Sequence, residues 1–258
     1  MSVEQVFDIV VPLGPQDAGR FRIGLPFNRK NILGHRRIYV VAPKATLDKL
    51  RDAASSDLIL VDEAIYPFDF DDLAEHIGAT KRRGWYLQQL LKLYAGFILP
   101  DIAPKWLVVD ADTIFLKPTQ FLYDGRAAFN IAVENRKEYF DHAAVLHPSL
   151  RRVDERFSGI THHMMFDATA VAHLFSLVEA HHNGAPFWRV FLRSVIPEQY
   201  EAAGASEYEI YFNFMLIHHP DQAVIRPLSM ANQHRLDTTL DVDYVSAHSW
   251  MSHEGDPD

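Results

Sequence analysis

The sequence predicts a single-domain α/β protein with a mostly parallel central sheet flanked by helices. Short apolar runs at residues 7–12, 37–41, 58–61 and 106–109 have the Val/Ile/Leu character of strands buried on both faces. Between them lie stretches whose apolar residues recur at helical spacing, so strand and helix alternate as in right-handed βαβ units. The 258 residues contain no linker, low-complexity segment or internal repeat, and we read residues 1–258 as one domain.

Taken in order, residues 7–12 form the first strand, closed by Leu13-Gly14-Pro15. Asp17 stands where a helix starts, with Phe21 and Leu25 on one face. It reads equally as an N-cap or as a group meeting a nucleotide beyond the first strand. The second strand is followed by a helix marked by Leu47, Leu50 and Ala54, and the third ends at Asp62-Glu63. Residues 84–94 then form a helix with an apolar stripe of Leu87, Leu90, Leu91 and Tyr94. Trp85, Gln88, Gln89 and Lys92 lie on its other side, ordinarily a solvated face. Lys92, one turn from the C-terminal edge of the sheet, also suits a diphosphate.

The fourth run, Trp106-Leu107-Val108-Val109, stops at Asp110-Ala111-Asp112. In extended backbone the i, i+2 spacing sends both carboxylates to one side, where they repel unless a cation lies between them. A hard divalent ion such as Mg²⁺ or Mn²⁺ supplies that charge, at the strand end where open α/β sheets bind ligands. The plainer alternative is a turn in which the aspartates cap the next segment. The preceding apolar strand and the following Ile-Phe-Leu-Lys-Pro favour the metal.

Residues 127–133 read as a further strand, followed by a polar helical stretch around Tyr139, and residues 157–167 as a strand lining a pocket. Adjacent histidines in a strand face opposite ways, so the pairs 162/163, 181/182 and 218/219 are poor zinc sites. One of His162 or His163 is expected to face a polar substrate in the acceptor or sugar pocket. Ser206-Glu207-Tyr208-Glu209 opens the last long helix, with Phe212, Met215 and Leu216 buried. Ser206 and Glu209 are explained by a capping box, which leaves Glu207 as the more interesting carboxylate.

Bulk properties exclude several classes. A net charge of −9 argues against a sequence-independent grip on nucleic acid. No apolar run is long enough to span a bilayer, although peripheral contact with a membrane-surface acceptor is compatible with the sequence. The absence of cysteine removes disulfides and thiolate metal sites. The acidic start, Met1-Ser2-Val3-Glu4-Gln5, does not read as a signal peptide, and a cytoplasmic location is the default expectation.

Together the segments at 84–93, Val109-Asp110-Ala111-Asp112, Ser206-Glu207-Tyr208-Glu209 and His248-Ser249-Trp250 resemble the GT-A (Rossmann-like) class of nucleotide-sugar glycosyltransferases. More narrowly they resemble a bacterial family placed among the glycosyltransferases and known mainly as a domain of unknown function. The resemblance implies a nucleotide over the first strands, near Pro12 and Asp17, and a divalent ion, Mn²⁺ or Mg²⁺, on Asp110 and Asp112. It places His248 as a third metal ligand and Trp85, Gln88, Gln89, Lys92 and Asp110 around the donor. It sets Glu207 and Glu209 beside the acceptor as catalytic carboxylates. The pattern around Glu207 matches neither the usual inverting nor the usual retaining sequence.

The expected reaction moves a sugar from a nucleoside diphosphate sugar, such as a UDP-sugar, to a hydroxyl of a glycan or glycolipid precursor in polysaccharide biosynthesis. A nucleotidyltransferase also uses paired carboxylates and Mg²⁺. However, residues 13–20 lack its Gly-rich, Arg/Lys-containing loop. A non-catalytic sugar-nucleotide-binding protein is the third alternative, disfavoured by the D-x-D and Glu207.

Overall fold

A strand that is apolar on both faces needs neighbours on both sides, and the Phe7–Pro12 strand (β1) has all six residues buried at the centre of a five-stranded sheet. In the computed structural model, which describes residues 6–134 and 136–247, β1 leads through α1 (Ala18–Asn31) and β2 (Ile32–Leu33) to β3 (His35–Ala42). The short α2 (Lys44–Asp48) precedes β4 (Leu58–Asp62), and α3 (Phe70–Ile77) and α4 (Arg83–Ile98) return the chain to β5 (Lys105–Val109). Then follow β6 (Thr113–Phe115), β7 (Thr119–Gln120), β8 (Leu122–Tyr123), β9 (Arg126–Phe129), α5 (Lys137–Leu146) and β10 (His163–Asp167). The last part comprises α6 (Ala168–His181), α7 (Phe187–Arg193), α8 (Glu207–His218), β11 (Ala223–Ile225), β12 (Met230–Gln233) and β13 (Tyr244–Ala247).

The main sheet runs β10-β5-β1-β3-β4, parallel throughout except for β10, which is antiparallel to β5. From β1 the chain winds outward through β3 to β4, then crosses back to place β5 on the other flank of β1. This reversal opens a crevice at the C-terminal ends of β1 and β5, the position where doubly wound sheets take their ligands. A small sheet, β12-β13-β6, lies beside that edge, with Ser246 of β13 opposite Thr113 of β6.

Two strands are shorter than the sequence pattern predicts. The stretch at 127–133 pairs only as far as Phe129. The next residue, Asn130, turns its amide to the Tyr244 hydroxyl and to the Leu228 N–H, leaving a single bridge between Ala132 and Ser158. The stretch at 157–167 is a strand only from His163, because His162 adopts φ +62°, a left-handed conformation that interrupts extended backbone.

The sheet carries one buried charge on its far edge. Asp8, fully buried on β1, accepts from Arg36 Nε at 3.0 Å and Nη2 at 2.6 Å, and from the N–H groups of Arg37 and Ala103. A buried carboxylate is tolerable only with its lone pairs filled. This one ties β1, β3 and the β5 approach together at the end opposite the crevice.

The α4–β5 packing fixes how far α4 reaches toward the crevice. The Trp106 ring of β5 lies so close to Gly96 that a Cβ there would stand 2.2 Å from it. The same indole donates to the Lys92 carbonyl at 3.0 Å and stacks on Phe166. Gly96→Ala should therefore cost about 1–3 kcal/mol by forcing α4 off the sheet, as read from the urea midpoint at constant m.

A second prediction concerns acid stability. His142 is buried against Phe191, its Nε2 2.8 Å from the Phe191 carbonyl and its Nδ1 without a partner among the described residues. Burial pulls its pKa down to about 4, below the ordinary 6.5. The unfolded chain then binds the extra proton between those values, so this contribution is complete above pH 6.5 and is lost as pH falls toward 4. Stability should fall by up to about 1.4 kcal/mol per pH unit through this window from His142 alone, and His142→Gln should flatten the slope.

Candidate functional site

The β1–β5 crevice opens into a cleft of about 1100 Å³, larger than the ~300–1000 Å³ of common small-molecule pockets. Its floor is the C-terminal edge of the sheet. One wall is α4, another the start of α8, and the third the loop after β1.

The chain between β5 and β6 is a tight turn, with the Thr113 N–H donating to the Asp110 carbonyl at 2.9 Å. This corrects the extended i, i+2 geometry expected from the sequence: the alternation of a strand does not extend past Val109, and the aspartates are grouped by the turn instead. Both still face the cleft, where Asp17 joins them. Burial, then the negative charge of Asp112, raises the pKa of Asp17, with Arg20 at 3.2 Å opposing the shift. Asp17 occupies the N-cap position of α1 without a side-chain capping bond. Its carboxylate is therefore directed to Arg20 and the aspartate turn rather than to the helix.

Beneath this turn lies a buried charged cluster. Lys92 Nζ is 2.7 Å from Asp110 Oδ1 and 2.7 Å from Glu207 Oε1, and it donates to the Tyr208 hydroxyl at 3.2 Å. Tyr208 in turn donates to Asp110 at 2.8 Å, and its ring lies under the ammonium at 4.3 Å. Burial alone would discharge Lys92, but the carboxylates of Asp110 and Glu207 hold its pKa above the usual value. Burial likewise opposes ionisation of Asp110, yet Lys92 and His162 keep its pKa well below the carboxylate range. Burial raises the pKa of Glu207, with Lys92 opposing the shift. Gln89 completes the arrangement by accepting the Glu207 N–H at 3.0 Å.

Lys92 and Gln89, 2% and 1% exposed, thus do not form the solvated face that helical spacing suggests. The apolar stripe of α4 meets the sheet, while its polar side meets α8. The Lys92 ammonium is engaged by carboxylates rather than open to a diphosphate. Trp85 and Gln88 are part-exposed and line the cleft, as does Pro12.

The two histidines face apart, though not by strand alternation, since His162 precedes β10 in a left-handed conformation. His162 lines the cleft with Nδ1 3.4 Å from Asp110 Oδ2. His163 is buried away from it, against the rings of Phe115, Phe121 and Tyr244, with neither ring nitrogen bonded among the described residues, and burial pulls its pKa to about 3.

The capping box is half formed. Ser206 accepts from the Glu209 N–H, but the Glu209 carboxylate turns away to Ser158 Oγ, the Gly159 N–H and Asn213, so it pins the 158–160 loop to α8 and does not line the cleft. Sequence reasoning also missed Tyr208, whose hydroxyl looks like one more aromatic of a buried helix. Glu63 was missed as well. It lines the cleft beyond β4, where burial and then Asp62 raise its pKa to about 7. His248 lies outside the described residues.

Among the described residues no group of three His, Cys, Asp or Glu side chains is arranged to enclose a metal. The carboxylates present suit a cation that takes one or two protein ligands and completes its shell with phosphate oxygens and water.

A wound sheet with one antiparallel flanking strand, and carboxylates at the β1–β5 switch point, is the GT-A-like architecture. The chain belongs to a family of unknown function (DUF6492), whose model matches residues 26–249. No curated protein matches it. Among solved structures it is similar to the apo form of mouse xyloside xylosyltransferase 1, with 12% identity and a TM-score of 0.50 over 96% of this chain and 99% of that one. That likeness is one of fold.

The cluster makes a stability prediction. Removing the ammonium leaves two buried carboxylates facing each other, so Lys92→Met should destabilise by about 3–5 kcal/mol. Adding Glu207→Gln should recover part of the loss, and a double-mutant cycle by urea denaturation measures the coupling.

Proposed function

We propose that this protein is a metal-dependent glycosyltransferase that moves a sugar from a nucleoside diphosphate sugar, a UDP-sugar in the first instance, to a hydroxyl of a glycan or glycolipid. The observation that carries this reading is the convergence of Asp17, Asp110 and Asp112 at the crevice of a GT-A-like sheet, with Glu207 joined to Asp110 through Lys92 in the same cleft. Loss of a nucleoside diphosphate leaves negative charge on the leaving group as the anomeric carbon becomes oxocarbenium-like. A divalent cation, Mn²⁺ or Mg²⁺, bound at Asp110 and Asp112 would supply Lewis-acid stabilisation of that charge.

The side chains of the chain divide the remaining work. Asp110 and Asp112 would hold the cation. Lys92 and Tyr208 bind the inner oxygen of Asp110 and fix its carboxylate plane. Pro12, Asp17 and Gln88 border the nucleotide end, and Trp85 and His162 border the sugar. Glu207, with its basicity increased by burial, accepts the proton of the attacking hydroxyl in an inverting reaction or positions the acceptor in a retaining one. His248 is assigned as a third metal ligand on the sequence pattern. Its neighbour Ala247 donates its N–H to the Asp112 carbonyl at 3.0 Å.

A thermal-shift screen of UDP-, GDP- and CMP-sugars with and without Mn²⁺ tests donor binding. A ligand at a hundredfold excess over its dissociation constant adds about 2.7 kcal/mol of apparent stability. Product analysis then separates glycosyl transfer, which releases a nucleoside diphosphate, from nucleotidyl transfer, which releases pyrophosphate. Asp112→Asn should leave the unliganded melting temperature nearly unchanged and abolish the Mn²⁺-dependent shift. A retained shift would remove Asp112 from the metal site. Glu207→Gln should lower turnover by roughly 10²–10⁴-fold with donor binding kept, if Glu207 takes the proton.

A further inference from the structure

The cleft is not uniformly acidic. Asp17, Asp110 and Asp112 stand at its aspartate-turn end, whereas Lys81, Arg82 and Arg83 line its lip at the start of α4, with Glu63, Glu134, Arg136 and Glu207 also in its wall. In a chain with 34 acidic and 25 basic residues, three successive cations are a local concentration of positive charge. The metal reading accounts for the acidic end. Nothing in the reaction so far uses the basic one.

Arg82 is the best-defined member of that lip. Its guanidinium lies 5.5 Å from the centroid of the Trp85 ring, and among the described residues no carboxylate pairs with it. Its backbone is anchored. The Arg82 N–H donates to Thr80 Oγ1 at 3.0 Å, and the buried Thr80 hydroxyl donates to the Tyr200 carbonyl at 2.7 Å. A planar fork of donors laid along an indole and held by a fixed loop suits a planar or tetrahedral oxyanion.

The position relative to Glu207 gives the group its place in the reaction. Tyr139 on α5 is buried, and Glu134, Arg136, Glu207 and Arg82 all lie within electrostatic reach of its hydroxyl. Arg82 and Arg136 therefore border the part of the cleft where Tyr139 and Glu207 lie. Arg136 is partly neutralised by Glu134 at 2.8 Å, and Arg83 lies over Phe70, whereas Arg82 is the cation held over Trp85 near Tyr139.

We propose that Arg82, held over the Trp85 ring with Arg136 also lining the cleft, is a subsite for an oxyanion carried by the acceptor, a carboxylate or a phosphate close to the hydroxyl that is glycosylated. The inference rests on the glycosyltransferase reading for the word acceptor, and on the charge and geometry of the lip for the anion. A charge-assisted contact of this kind contributes about 10- to 100-fold in affinity. A neutral sugar gains nothing from it and leaves a guanidinium partly desolvated.

The test uses three matched probes: methyl glucoside, methyl glucuronide and methyl glucoside 6-phosphate. Each is offered to the full chain with Mn²⁺ and the donor identified by thermal shift. The charged glycosides are expected to have the higher kcat/KM. Arg82→Ala should lower the charged-to-neutral ratio 10- to 100-fold, mainly through acceptor KM, with Arg82→Lys recovering part of it. The carboxylate and phosphate arms show which source of the anion the site takes. Equal use of charged and neutral glycosides, failure of both charged probes to bind, or an Arg82→Ala effect on donor KM alone would overturn the subsite. Equilibrium binding of the same probes in the presence of UDP and Mn²⁺ keeps the two readings apart. Arg82-dependent binding of charged glycosides with no nucleoside diphosphate released from any donor sinks glycosyl transfer and leaves the anion subsite standing.

Discussion

A single buried ammonium constrains the site. Lys92 is 2% exposed, and taking its charge out of water costs several kcal/mol unless opposite charges surround it closely. Asp110 and Glu207, each 2.7 Å from Nζ, meet that requirement, and they come from the turn after β5 and the first residue of α8. Three segments distant in sequence are thereby held at one point. The depth of α4 is set from the other side by Trp106, which fills the space a side chain at position 96 would take and bonds the Lys92 carbonyl. A shift of α4 along the sheet would break both relations at once.

The same cluster sets the electrostatics of the cleft. One ammonium against the two carboxylates of Asp110 and Glu207 leaves a net charge of about −1 below the turn, to which Asp112 and Asp17 add. The excess stays negative where a cation and a diphosphate would meet. Lys92 and Tyr208 take one oxygen of Asp110 and His162 lies 3.4 Å from the other, while Asp110 and Asp112 both line the cleft. A lysine committed to this balance is a structural counterion, and the positive charge for a second anion has to come from elsewhere, as it does on the Arg82 lip.

Most of the main sheet was legible in the sequence because its strands are buried on both faces, which writes continuous apolar runs at 7–12, 37–41, 58–61 and 106–109. The irregular segments were not. The turn at Asp110–Asp112 stands in the sequence only as the plainer alternative to extended backbone, the stretch before His163 depends on partners far along the chain, and nothing local marks a histidine that takes positive φ. The facing of α4 was misread for a related reason. Periodicity separates apolar from polar positions, but it does not say whether the polar side meets water or another helix. Gln89 and Lys92 became buried because α8 brings Glu207 to them. Glu209 shows the converse: a local capping rule explained it fully, and the fold used it for the 158–160 loop instead.

The aspartate turn is held before any ligand arrives, and this follows from β10, part of the strand read at 157–167, and from β13, which the sequence pattern does not mark as a strand. The Asp110 N–H donates to the His162 carbonyl, just ahead of β10, and the Asp112 carbonyl accepts from Ala247 at the end of β13. Thr113 is tied to Ser246 side chain to side chain, and its carbonyl accepts from Asn28 of α1. Backbone groups on both sides of the two carboxylates are thus engaged by other elements. A cation bound there, as proposed, would not require the turn to order first, so the cost of arranging two like charges would be met by the fold as a whole. It also explains why the antiparallel additions β10 and β13 sit where they do. A purely parallel wound sheet ends at Val109 with a free loop, and these two strands convert that loop into a fixed one.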